Sequence, residues 1–182
     1  MDNNRGRRAA GSRLIAFLGL AGALTFAFAV SGTAAEAWVG PPSATTWGET
    51  RTFGSGLEVT VAQPHAFRAS DAAAGHRPEN QAVTWKVTIK NDTDEAFRTT
   101  LVSVYAKYGA IGEQADRVFD NTQGAGSGFE GSISPGGTAT ATYAFDLPRT
   151  ATASLDLEVT PDPFEYEGTH WTGPLEQKAV RG

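Results

Sequence analysis

The stretch that decides the fold reads Ala82-Val83-Thr84-Trp85-Lys86-Val87-Thr88-Ile89-Lys90-Asn91. Val83, Trp85, Val87 and Ile89 alternate with Thr84, Lys86, Thr88 and Lys90. Successive side chains of a strand point to opposite faces, so period two means one buried face and one wet face. The β-branched residues favour the same backbone. Trp85 is therefore expected in the middle of the core.

The same period returns on both sides of this strand. Leu57, Val59 and Val61 alternate with Glu58 and Thr60. Ala139, Ala141, Tyr143 and Phe145 alternate with Thr138, Thr140 and Thr142, and Leu155, Leu157 and Val159 with Asp156, Glu158 and Thr160. Leu101 to Tyr108 is apolar on both faces and is expected to be a more central strand; Glu113 to Phe119 is a weaker one. Breakers separate the segments, among them Gly54-Ser55-Gly56, Asn91-Asp92-Thr93-Asp94, Gly124 to Gly128 and Ser134-Pro135-Gly136-Gly137. Antiparallel strands with one polar face each are best satisfied by two sheets packed face to face. The fold class predicted is all-β: an immunoglobulin-like two-sheet sandwich of about seven strands, preceded by an N-terminal signal helix. A small barrel is the alternative.

The N-terminus has a different character. Arg5, Arg7, Arg8 and Arg13 precede an apolar run from Leu14 to Val30, and Ala35-Glu36-Ala37 follows as an A-x-A cleavage site. This is the layout of a secretory signal. Export is expected, through the general route or, given Arg7-Arg8, the twin-arginine route. The segment is either removed after Ala37 or kept as a membrane anchor with the rest of the chain outside. The expected organisation is a signal or anchor over 1–37, a Pro/Ser/Thr linker over 38–47, the sandwich over 48–175 and a tail over 176–182.

The 182 residues carry a net charge of −5 and no cysteine. Four of the 15 basic residues lie before Trp38, against two of the 20 acidic ones, so the remainder is more acidic than the whole. An acidic exported domain is poorly suited to nucleic acid. Without cysteine there is no disulfide, no lipid-bearing cysteine after the signal, no thiolate ligand and no cysteine nucleophile. The core alone must hold the fold.

Several segments together resemble a known family. They are Gly48-Glu49-Thr50, Leu57 to Gln63, Ala82 to Asn91 with its acidic turn, and Ser134-Pro135-Gly136-Gly137 before a Thr/Ala strand. Leu155 to Val159, Phe164-Glu165-Tyr166-Glu167 and Trp171-Thr172-Gly173 complete the set. Over roughly Thr46 to Gly173 the chain is similar to bacterial exported domains of unknown function grouped with the immunoprotective extracellular, immunoglobulin-like antigens. The resemblance implies a sandwich and an extracytoplasmic location. It carries no catalytic residues.

His65, Asp71, His76 and Glu79 share one long segment between strands, but their spacing matches no metal motif, and solvated residues of a flexible alanine-rich loop are the plainer reading. Copper sites of sandwiches need Cys or Met, and the only methionine is Met1. Ser127 lies among glycines, but Ala125 and Phe129 stand where a nucleophile elbow needs glycine. Asp92, Asp94 and Glu95 form an acidic turn without an EF-hand's spacing. Asn91-Asp92-Thr93 is also a glycosylation sequon. Pro161 to Gly173 sets Phe164, Tyr166, His170 and Trp171 among acidic residues; aromatics in such company serve partner surfaces or pin a chain end. The expectation is a non-enzymatic exported module without catalytic residues, bound metal or cofactor. Its partner is expected to be a protein or cell-envelope component, not nucleic acid, and Phe164, Tyr166, His170 and Trp171 are its candidate partner surface. A membrane is touched only through the N-terminal segment if that is kept. The alternative is a small-molecule or metal-binding accessory protein using His65, Asp71 and His76.

Overall fold

The computed structural model describes residues 44–176. The expected signal, most of the linker and the tail from 177 lie outside the described residues.

The described residues form thirteen strands, eleven of them in two main sheets. In chain order they are β1 (Thr45–Thr46), β2 (Thr50–Thr52), β3 (Leu57–Val61), β4 (His65–Phe67), β5 (Gln81–Asn91), β6 (Phe97–Arg98) and β7 (Ser103–Tyr108). Then come β8 (Glu113–Gln114), β9 (Asp116–Val118), β10 (Ser132–Ile133), β11 (Thr138–Leu147), β12 (Leu155–Thr160) and β13 (Thr169–Gly173). The first sheet has the order β2-β3-β5-β11-β9, with β4 also paired to β5; the second runs β1-β13-β12-β7-β8. β6 and β10 pair apart from both. Strands that neighbour in space but not in sequence, such as β5 beside β11, are the Greek-key signature of an immunoglobulin-like sandwich.

The long strands carry the expected alternation into the core. Val83, Trp85, Val87 and Ile89 of β5 are buried, with Tyr143 opposite Trp85 and Phe145 opposite Val83. From the second sheet Leu155, Leu157, Val159 and Trp171 meet them. Trp85 lies against Phe145 edge-on at 5.8 Å and Trp47 at 6.2 Å between ring centroids. Each buried aliphatic side chain here contributes about 1.5–3 kcal/mol before chain entropy is counted.

Four expectations are corrected. The stretch read as linker supplies β1, which pairs in parallel with β13, and Trp47, whose Nε1 donates to the Pro174 carbonyl at 3.0 Å. Leu101 to Tyr108 is not buried on both faces: Leu101 closes a 3-10 turn over Thr99–Leu101, and Tyr105 faces outward, 47% exposed. Glu113 to Phe119 is not one strand but two. β8 ends the second sheet, Ala115 turns inward, and β9 joins the first sheet. The segment between β4 and β5, read as a flexible solvated loop, is tied across the outside of the first sheet.

Candidate functional site

The β4–β5 segment owes its position to two carboxylates. β11 alternates Thr138, Thr140 and Thr142 outward, then places Ala144 and Asp146 on that same outer face. Both are buried. The cover is residues 68–80. Phe67 and Ala73 pack on Val118, Ala125 and Ala144, a second small core outside the main one. Ala74 and Phe119 exchange backbone hydrogen bonds of 2.9 Å each way, closing the otherwise free edge of β9. Pro64 interrupts the run from β3 to β4, and the chain leaves β5 soon after Phe67.

Asp120 and Asp146 hold this cover in place. Asp120, 1% exposed, accepts from Ser70 N–H at 2.7 Å, the Ser70 hydroxyl at 2.8 Å and Gln123 N–H at 3.2 Å. The Ser70 backbone bond leads the causes that pull its pKa below the usual carboxylate value. Asp146, 3% exposed, has His76 Nδ1 at 2.6 Å, Asn80 Nδ2 at 2.6 Å and Arg77 N–H at 3.3 Å. A carboxylate oxygen accepts, so this pairing assigns the Nδ1–H to His76. Arg77 also pairs with Asp116. Arg149 donates to the Glu79 carbonyl at 3.0 Å and the Pro78 carbonyl at 3.1 Å. A cleft of about 560 Å³ opens beside this cover, lined by Phe67, Arg68, Asp71, His76, Asn80 and Arg149 among others.

The residues singled out from sequence fall in separate places. His76 and Asp71 line the cleft, but His65 pairs with Glu176 at 2.8 Å and does not, while Glu79 serves through its carbonyl. Among the described residues no group of three or more His, Asp or Glu side chains is set to hold a metal ion. The metal alternative therefore has no ligand cluster there. Ser127 lines a different, shallow polar hollow with Asn121, Glu130 and Thr142. Asn91 is fully buried: its amide donates to the carbonyls of Glu95 and Ile133, each at 2.8 Å, and its oxygen accepts from Thr93. The sequon asparagine is thus a turn organiser with its nitrogen committed.

The four proposed partner-surface residues do not form one surface. Phe164 is 85% exposed at the tip of the β12–β13 turn. Tyr166 packs edge-on against Phe53 at 4.9 Å and bonds to the Ser55 hydroxyl at 2.9 Å, stapling that turn to the β2–β3 turn. His170 stands on the outer face of the second sheet with Nδ1 3.0 Å from the buried Asp156, whose pKa burial pushes up against the pull of His170. Trp171 is fully buried and donates to the Glu49 carbonyl at 2.9 Å. Trp171 is a core residue and is withdrawn from the surface. Inward Thr169 and Trp171 alternate with outward His170 and Thr172 as a strand requires.

Asp146, Asp120, Asn80, Arg68 and Arg149 were not anticipated. One local signal bears on Asp146: Ala144 occupies an outward position where the preceding ones hold threonine, as a covered patch would.

The fold and its tied-down crossing segment define an immunoglobulin-like sandwich with one covered outer face. Residues 47–169 match a family described as a domain of unknown function, DUF4352, and the chain belongs to that family. No curated protein matches it. Among solved structures the chain is similar to ycdA of Bacillus subtilis, described as a candidate lipoprotein, at 9% identity and a TM-score of 0.58. That match covers 75% of this chain but 41% of ycdA, so this chain spans under half of that protein's length. The yjhA protein of Bacillus subtilis matches at 14% identity and TM-score 0.56, over 72% of this chain and 99% of yjhA. MPT63, a secreted protein from Mycobacterium tuberculosis, matches at 18% identity and TM-score 0.50, over 75% of this chain and 100% of its own. At these identities the likeness is one of fold.

Proposed function

We propose that this protein is a non-enzymatic binding module that works outside the cytoplasm, with a protein or cell-envelope component rather than nucleic acid as partner. The observation that carries the reading is the cover over residues 68–80, fixed by the buried carboxylates of Asp120 and Asp146. Loops on a rigid sandwich are where binding residues concentrate, and a preformed site loses little conformational freedom when it fills. The polar groups of this cover serve the fold: the Ser70 hydroxyl is held by Asp120, and His76 Nδ1 by Asp146.

Location outside the cytoplasm is supported by the arginine-flanked apolar run and the Ala35-Glu36-Ala37 site. The descriptions of ycdA and MPT63 point the same way. Kinship with the immunoprotective extracellular antigens is part of the proposal and rests on the segments quoted for it.

Two measurements test this reading. Host fractionation with intact mass is expected to find the protein outside the cytoplasm, either beginning near Trp38 or retaining Leu14–Val30 in the membrane; a cytoplasmic full-length species contradicts it. Purified protein is expected to turn over no peptide, ester or glycan substrate. Turnover abolished by His76→Ala or His170→Ala overturns the non-enzymatic reading.

A further inference from the structure

We propose that the cleft beside His76 binds a small oxyanion, a carboxylate or phosphate group, held by the guanidiniums of Arg68 and Arg149. This deepens the binding-module reading and rests on it. The volume of about 560 Å³ falls in the range of small-molecule sites, and Phe67 supplies an aromatic wall beside the polar groups.

The charge balance selects the ligand. Among the described residues neither Arg68 nor Arg149 has a carboxylate in ion-pair contact, whereas Arg77 is paired with Asp116. Arg149 gives Nε and one terminal nitrogen to the carbonyls of Glu79 and Pro78. Those bonds orient its guanidinium without neutralising it. Asp146 lies behind His76, outside the lining, with both oxygens engaged by His76, Arg77 and Asn80. Asp71 is then the open carboxylate of the lining, so two guanidiniums face one acid. A guanidinium matches a planar or tetrahedral oxyanion with two parallel N–H bonds. His76 borders the cleft with its Nδ1 committed to Asp146, so the guanidiniums are the donors to the oxyanion. Asn80 is fixed by its bond to Asp146 and completes the wall.

The test is titration of the protein, as isolated from its host, with acetate, citrate and inorganic phosphate, followed by amide and imidazole chemical shifts. The expected result is saturable shifts confined to Arg68, Asp71, His76, Asn80 and Arg149. Saturation by the carboxylates alone, by phosphate alone, or by both names the source and supports the site. Arg68 is exposed, so Arg68→Ala should leave the melting temperature unchanged while weakening binding by about tenfold, the scale of one charge-assisted pair. Asp71→Asn should tighten binding by removing the opposing charge. Shifts that do not saturate, or that Arg68→Ala and the distant Arg98→Ala weaken equally, overturn the proposal. So does saturable binding of spermidine in the same cleft. Those results leave the binding-module reading standing, since only turnover by the protein or a cytoplasmic location contradicts that.

Discussion

Asp120 and Asp156 are both buried, yet their pKa values move in opposite directions. Asp120 collects donors from Ser70 and Gln123 and its pKa is lowered; Asp156 is desolvated more than His170 and Lys107 compensate, and its pKa is raised. A lowered pKa stabilises the fold above the ordinary carboxylate value of about 3.9, and this contribution fades as pH falls through the folded-state value. Asp120→Asn should therefore be less stable than the parent near neutrality, with the gap closing in acid. A raised pKa contributes in acid and is lost as pH rises through it, so Asp156→Asn should gain on the parent as pH rises from acid. Chemical denaturation at a series of pH values reads both slopes. Trp171 belongs to this scale too. Its sequence neighbours are a histidine and a threonine, and five residues of alternation beside a polar, aromatic-rich turn are too few to separate a core tryptophan from a surface one. With its ring fully buried, Trp171→Ala should cost about 3–5 kcal/mol in a melting or denaturant experiment, as for other buried tryptophans. Phe164→Ala, at an exposed tip, should cost almost nothing.

At the scale of elements, strands were legible and their cover was not. β3, β5, β11 and β12 emerge from alternation alone because each has one face on the core, and the period of two survives any detail of packing. The crossing segment has no period. Its hold comes from Asp120 and Asp146, which are distant in sequence from the residues they fix, and no local pattern links Ser70 to Asp120 or His76 to Asp146. The split of Glu113 to Phe119 between two sheets is hidden for a similar reason, since Ala115 gives no sign of the turn. Gly75 marks where the cover passes closest to β9. Its φ is +85°, and a Cβ there would lie 2.2 Å from the Arg117 carbonyl oxygen. Gly75→Ala is strained in backbone and in contact alike. It should lower the melting temperature and loosen residues 68–80, seen as faster cleavage there by a protease, whereas Gly54→Ala, with ordinary backbone and open space around it, should loosen nothing in that segment.

At the largest scale, the described residues form a sandwich whose two outer faces differ. The second sheet shows Tyr105, Lys107, Glu158 and His170 along its outside, while the first sheet carries a second layer over Ala144 and Val118. That second layer fixes the cleft, and with it the proposed binding role. Residues 68–80 are part of the folded structure and not a surface loop. Amide hydrogen exchange tests it most directly. Ala74 and Phe119, joined by paired backbone bonds, should exchange slowly, near the rate of β5, and Ser70 should be protected by Asp120. Exchange of Ser70 and Ala74 at the rate of an unstructured chain, with β5 still protected, would contradict it.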